Sequence, residues 1–172
     1  MEIMHAIIAI ATQYKWKVYQ MNVKFAFLDG VLKEEVYVEQ PPSYEVADEE
    51  HKVYILKRAL YGLKQAPRAW YSRTDSYLMN NGFSKSDVKS TLYIKESNDK
   101  VLIVVLYVDD LIFTRNDNLL IGEFKKAMKN KFKMIDLGLL KHFLGIEVKQ
   151  MYDGIFISQK KYARKMLERF KM

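Results

Sequence analysis

The chain has 172 residues, of which 49% are hydrophobic and 13% aromatic, a composition that builds a core and excludes a disordered chain. It has no cysteine, which excludes disulfides and thiolate metal sites. A net charge of +7 suits an anionic partner such as nucleic acid, and with no run of about twenty apolar residues no transmembrane helix and no membrane partner are expected.

The first residues, MEIMHAIIAIA, carry Glu2 and His5 and lack a basic leader, so they make a poor signal peptide. Ile3, Ile7 and Ile10 recur at helical spacing and predict an amphipathic helix packed on a core. KWKVYQMNV reads as a strand, FAFLDG as a turn, and EVYVEQ as a second strand ending at Pro41-Pro42. The acidic stretch 44–50 is the long loop of the chain, and VYIL is a short strand. YGLKQAP then leads into a helix with Pro67 in its first turn and Trp70, Thr74, Tyr77, Leu78 and Asn81 on one face. Asn81-Gly82 ends it.

TLYIKESNDKVLIVVLYV predicts a hairpin closed by the polar SNDK. The apolar run within it is too short and too β-branched for a helix and reads as a central strand. A helix from about Asn118 to Lys133 places Ile121, Phe124, Met128 and Phe132 on one face, with its lysines expected to point mostly to solvent. HFLGIEVKQ and GIFISQ read as a hairpin across Asp153-Gly154. Ser158 is placed to cap a last helix whose apolar face is Tyr162, Met166, Leu167 and Phe170. The pattern is α+β: an antiparallel sheet with helices packed on one face, in a single domain spanning residues 1–172.

Asp109 and Asp110 interrupt the greasiest segment, VLIVVLYVDDLIFT. Aspartate is a common turn residue, so the pair fits a hairpin turn. Adjacent carboxylates on a rigid strand tip also suit a hard divalent cation.

Tyr-Val-Asp-Asp between two apolar strands resembles the signature turn of reverse transcriptases. YGLKQAPRAWY resembles the nucleotide-contacting motif of copia-type retrotransposon polymerases, and QMNVKFAFLDG resembles their first catalytic motif. VYVEQP, KSTLYIK, FLGIEV and ISQKKYARKMLERF are similar to intervening segments of that family, in the same order. The resemblance covers essentially the whole chain.

It implies an RNA-directed DNA polymerase palm that joins nucleotides by two-Mg²⁺ chemistry on an RNA or DNA template-primer, with deoxynucleoside triphosphates as substrates. Asp109 then matches the hairpin ligand that bridges both metals, and Asp110 its partner. Phe27 matches the aromatic gate against a ribose 2′-hydroxyl. Tyr61 and Gly62 match the place where the incoming base and sugar are held, and Lys64 and Arg68 are candidates for phosphate or template contact. The family's first motif has an aspartate where this chain has Asn22. An amide oxygen is a neutral and poorer ligand, so the resemblance implies an impaired metal site. It also implies that most of the fingers, the thumb and RNase H lie outside this sequence, leaving a truncated palm. The alternative is a non-catalytic nucleic-acid-binding or scaffold remnant. The expected setting is intracellular, cytoplasmic or nuclear.

Overall fold

The computed structural model describes residues 2–171, the side chain of Asn118 excepted. In chain order the elements are α1 (Glu2–Gln13), β1 (Val18–Val23), a 3₁₀ turn (Ala26–Asp29), β2 (Tyr37–Val38), β3 (Tyr54–Ile55), α2 (Ala66–Asn80), β4 (Ser84–Lys85), β5 (Leu92–Ser97), β6 (Lys100–Tyr107), β7 (Asp110–Arg115), α3 (Asn118–Lys131), β8 (Met134–Leu139), β9 (His142–Phe143), β10 (Ile146–Gln150), β11 (Ile155–Ser158) and α4 (Lys160–Phe170). The class is α+β, as the sequence predicts. Two compact units divide the chain: Phe25–Gly82, and the remainder on either side of it.

The larger unit is built on a six-stranded antiparallel sheet of order β4-β5-β6-β7-β1-β8. β6 and β7 are the central strands that the run of Val, Ile and Leu demands, since both of their faces are covered. Successive side chains alternate between those faces. On one face Val18, Ile103, Val105 and Ile112 join Met4, Ile7, Ile8 and Ala11 of α1 and Phe143, Ile146 and Val148 of β9 and β10 in one apolar cluster. On the other, Phe113 meets Phe124 of α3 edge-on, with ring centroids 5.1 Å apart. Helices thus cover both faces of this sheet, α1 one and α3 the other, where the sequence pattern predicts helices on one face only.

β5 and β6 turn through Asn98 and Asp99, both at positive φ. That is the backbone of a two-residue type I′ hairpin, which short polar side chains tolerate. MIDLGL, unassigned from the sequence, forms β8, which flanks β1 at the sheet edge. Conversely HFLGIEVKQ is not one strand. Leu144 and Gly145 sit at φ +47° and +80° and fold β9 back on β10. β10 pairs with β11 across Asp153-Gly154 as expected. Gln150 of β10 ties this small sheet to β1: its Oε1 accepts the Val18 N–H at 2.9 Å and its Nε2 donates to the Val18 carbonyl at 2.8 Å.

Ser158 does not cap α4. Its hydroxyl donates to Glu147 across the hairpin at 3.2 Å, and Gln159 stands at the cap position without a capping side-chain bond. The expected apolar face of α4 is exposed at Tyr162, Leu167 and Phe170.

In the smaller unit the segment EVYVEQ forms only a two-residue strand, paired with Tyr54–Ile55. Pro41-Pro42 stop it. The acidic loop that follows folds around one side chain. Gln40 donates to the Glu49 carbonyl at 2.7 Å and to the Lys52 carbonyl at 3.1 Å, and accepts the Val46 N–H at 2.8 Å. α2 buries Ala66, Trp70, Thr74 and Leu78, and Asn81-Gly82 ends it, with Gly82 at φ +80°. The 3₁₀ turn is pinned to α2 by Arg73, which is 3.2 Å from Asp29 Oδ1 and also donates to its carbonyl. Gly30 is required there: a Cβ would lie 2.8 Å from Ala69 Cβ and 2.9 Å from the Trp70 nitrogen.

Candidate active site

β1 lies between β7 and β8, antiparallel to both. Its register with β7 places Asn22 directly opposite Asp110. Gln20 and Asn22 are two residues apart, hence on the same face as Asp110. Tyr107, paired with Asp110 across the β6–β7 hairpin, shares that face and stacks edge-on against Phe143 at 5.3 Å.

The hairpin turn consists of residues 108 and 109 alone. Val108 is at φ +54°, the left-handed region that a β-branched residue rarely adopts. Positive φ at the first turn position only is the sign pattern of a type II′ hairpin, where glycine is the usual occupant. The turn is held from β1, because the Val23 N–H donates to the Asp109 carbonyl at 2.8 Å. Both carboxylates are partly exposed.

The sequence-predicted residues Asn22, Asp109 and Asp110 therefore converge. Asn22 Nδ2 donates to Asp109 Oδ2 at 3.0 Å and to Asp110 Oδ1 at 3.1 Å. A fourth residue, absent from the sequence reading, joins them. Gln20 is only 8% exposed and its Nε2 donates to Asp110 Oδ1 at 3.0 Å. Alternation along β1 was the signal that placed Gln20 on the Asn22 face. Carboxylate oxygens are the hard donors that divalent cations take as ligands. Among the described residues no group of three or more His, Cys, Asp or Glu is placed to hold a metal ion.

Phe27, Tyr61 and Gly62 lie in the smaller unit. The Phe27 and Tyr61 rings are 5.1 Å apart, tilted by 54°. Tyr61 is exposed, and Gly62 follows it at φ +92° with open space where a Cβ would be. Lys64 and Arg68 are exposed.

Behind the sheet, Lys125 departs from the expectation of solvent-facing lysines. Its side chain is 17% exposed, 3.0 Å from Asp136 and over the Tyr19 ring at 4.6 Å. Burial raises the Asp136 pKa, but the Gly138 N–H, Lys125 and Lys129 outweigh it and hold the carboxyl below its ordinary value. Lys126, Lys129, Lys131 and Lys133 are exposed, as expected.

An antiparallel sheet carrying two carboxylates on a hairpin tip, opposite a polar residue of the neighbouring strand, is an architecture suited to holding a cation. The reverse transcriptase (RNA-dependent DNA polymerase) family matches residues 1–172. The chain is 36% identical over 166 residues to the retrovirus-related Pol polyprotein from transposon RE2 of Arabidopsis thaliana, and 39% identical over 169 residues to that from transposon TNT 1-94 of Nicotiana tabacum. Each alignment covers 96% of this chain but only 11% and 13% of the respective polyprotein, so the chain spans about an eighth of their length or less. It is also 32% identical over 146 residues to the putative transposon Ty5-1 protein of Saccharomyces cerevisiae, of which it covers 47%. No solved structure matches it. The chain belongs to the reverse transcriptase family, as a reverse transcriptase segment of the copia-type retrotransposon Pol polyproteins. No described helix is long and apolar enough to cross a membrane.

Proposed function

We propose that this chain is the palm portion of an RNA-directed DNA polymerase in which Asp109 and Asp110 are the metal ligands and Asn22 occupies the place of a third. The observation that carries this reading is the β1–β7 register, with the Asn22 amide within 3.1 Å of both carboxylates. The two compact units are read as parts of one reverse-transcriptase domain.

The two carboxylates offer charge for one Mg²⁺ and too little for two, and the Asn22 amide competes for them. Two carboxylates balance one divalent ion, while Asn22 adds no charge. Bound there, Mg²⁺ would supply electrostatic stabilisation of phosphate oxygens during nucleotidyl transfer. The chain's own residues do the rest. The paired strands hold the carboxylates rigidly. Phe27 and Tyr61 offer an aromatic wall to the sugar and base of a deoxynucleoside triphosphate, with Gly62 letting the ligand approach the backbone closely. The basic surface, including Lys64 and Arg68, attracts an RNA or DNA template-primer.

Asn22 weakens this chemistry. Loss of one charge contact to the transition state costs about 3–4 kcal/mol, or roughly a hundred- to a thousand-fold in rate. The test is primer extension by this segment placed in the polyprotein context of a relative, as the natural sequence, as Asn22→Asp and as Asp109→Ala. The reading predicts weak extension by the first, strong extension by the second and none by the third. Strong extension by the natural segment that survives Asp109→Ala would refute it.

A further inference from the structure

The donors that face Asp109 and Asp110 are side-chain amides. Asn22 Nδ2 has two hydrogens to give, and it donates to both carboxylates, at 3.0 Å and 3.1 Å. Gln20 gives Asp110 Oδ1 a second donor at 3.0 Å. Two like charges gathered at one strand tip repel, and both favour a nearby cation or hydrogen bonds to the charged form. Here the second remedy is in place. One amide nitrogen bridges the carboxylates, the topological position a shared cation would take.

We propose that Gln20 and Asn22 form an amide lock that substitutes for a divalent cation between Asp109 and Asp110. Asn22 is the bridge. Gln20 is a positioning residue that fixes Asp110 through its buried amide. The proposal rests on reading this cluster as the family's metal site.

Three features support it. Gln20 and Asn22 sit on the same face of a strand bonded on both sides, so neither amide is free to drift. The Val23 N–H holds the Asp109 carbonyl, which keeps the turn within reach of Asn22. An amide also presents two chemically opposite ends. With its nitrogen inward it satisfies carboxylates and repels a cation. A cation must turn it over to gain its oxygen, and so competes with two hydrogen bonds already made. A carboxylate at residue 22 has no donor end: it would leave three negative groups together and make the site depend on metal.

The test is thermal unfolding of the 172-residue chain with and without millimolar MgCl₂. The natural chain is expected to shift by less than about 1 °C on adding Mg²⁺. Asn22→Asp, nearly isosteric, should unfold lower without Mg²⁺ and rise by about 5 °C or more with it, a rise removed by adding Asp109→Ala. Gln20→Leu should unfold lower without Mg²⁺ and recover part of that loss with it; a mere packing role for Gln20 would give a loss that Mg²⁺ does not touch. A parallel readout is the Asn22 side-chain NH₂ resonance pair, expected not to move with Mg²⁺ in the natural chain. A natural chain stabilised by Mg²⁺ as strongly as Asn22→Asp would overturn the lock while leaving the metal site standing. No Mg²⁺ response in Asn22→Asp would overturn the metal-site reading itself, and the lock with it.

Discussion

Lys125 of α3 and Asp136 of β8 are joined at 3.0 Å, and this pair sits on an irregularity in the sheet. The β1–β8 register shifts between Gln20 and Met21: Gln20 faces Gly138 and Met21 faces Asp136, which leaves Leu137 as the extra residue. Gly138 takes the positive φ the bulge needs, and Asp136 Oδ1 accepts the Gly138 N–H at 2.9 Å. The ion pair thus holds the edge strand in the register that backs the Asn22 strand.

The pH dependence follows from the depressed Asp136 pKa. Its contribution is full above the ordinary aspartate value of about 3.9 and is lost as the pH falls through the lower folded-state value. Asp136→Asn keeps an oxygen for Gly138 but not the charge. At neutral pH it should cost about 1 kcal/mol, and the gap to the natural chain should close in acid, below the ordinary aspartate range. Urea unfolding at the two pH values checks this; an equal gap at both would contradict it.

Arg115 ends β7 and is 3% exposed, yet its three guanidinium nitrogens have no hydrogen-bond partner among the described residues. Burial lowers its pKa, partly countered by Asp117 and Glu123. A buried, unbonded cation is a cost that an apolar side chain of similar length avoids. Arg115→Met should raise stability by about 1–3 kcal/mol. Chemical denaturation measures it, and a loss of stability would mean that the guanidinium is bonded in solution.

Val108 holds a backbone conformation that suits glycine, and the residue is 51% exposed. Val108→Gly should therefore relieve strain worth about 1 kcal/mol while forfeiting little burial. A raised midpoint of thermal unfolding supports this; a lowered one would show that glycine's entropy cost outweighs the strain.

The elements most legible in the sequence are those whose pattern is local. The Asn98–Asp99 hairpin, the Asn81-Gly82 helix stop and the Ile121, Phe124, Met128 stripe follow from turn chemistry and helical spacing, and Asn22, Asp109 and Asp110 converge as the motifs imply. What stayed hidden depends on long-range partners. β8 has a glycine and an aspartate in six residues and is a strand because β1 offers it an edge. Ser158 looks like a cap until Glu147 arrives across the hairpin. Lys125 looks solvated until Asp136 and Tyr19 meet it. Gln20 looks like an ordinary polar strand residue until Asp110 is brought opposite Asn22.

The most direct measurement on the central claim is Mn²⁺ binding followed by electron paramagnetic resonance, with Mn²⁺ standing in for Mg²⁺ at an oxygen site. Asn22→Asp should bind Mn²⁺ at least about tenfold more tightly than the natural chain, a difference of ~1.4 kcal/mol, and Asp109→Ala should remove that tight binding. Equal affinity in the natural and Asn22→Asp chains, unchanged by Asp109→Ala, would contradict the assignment of Asp109, Asp110 and Asn22 to one metal site.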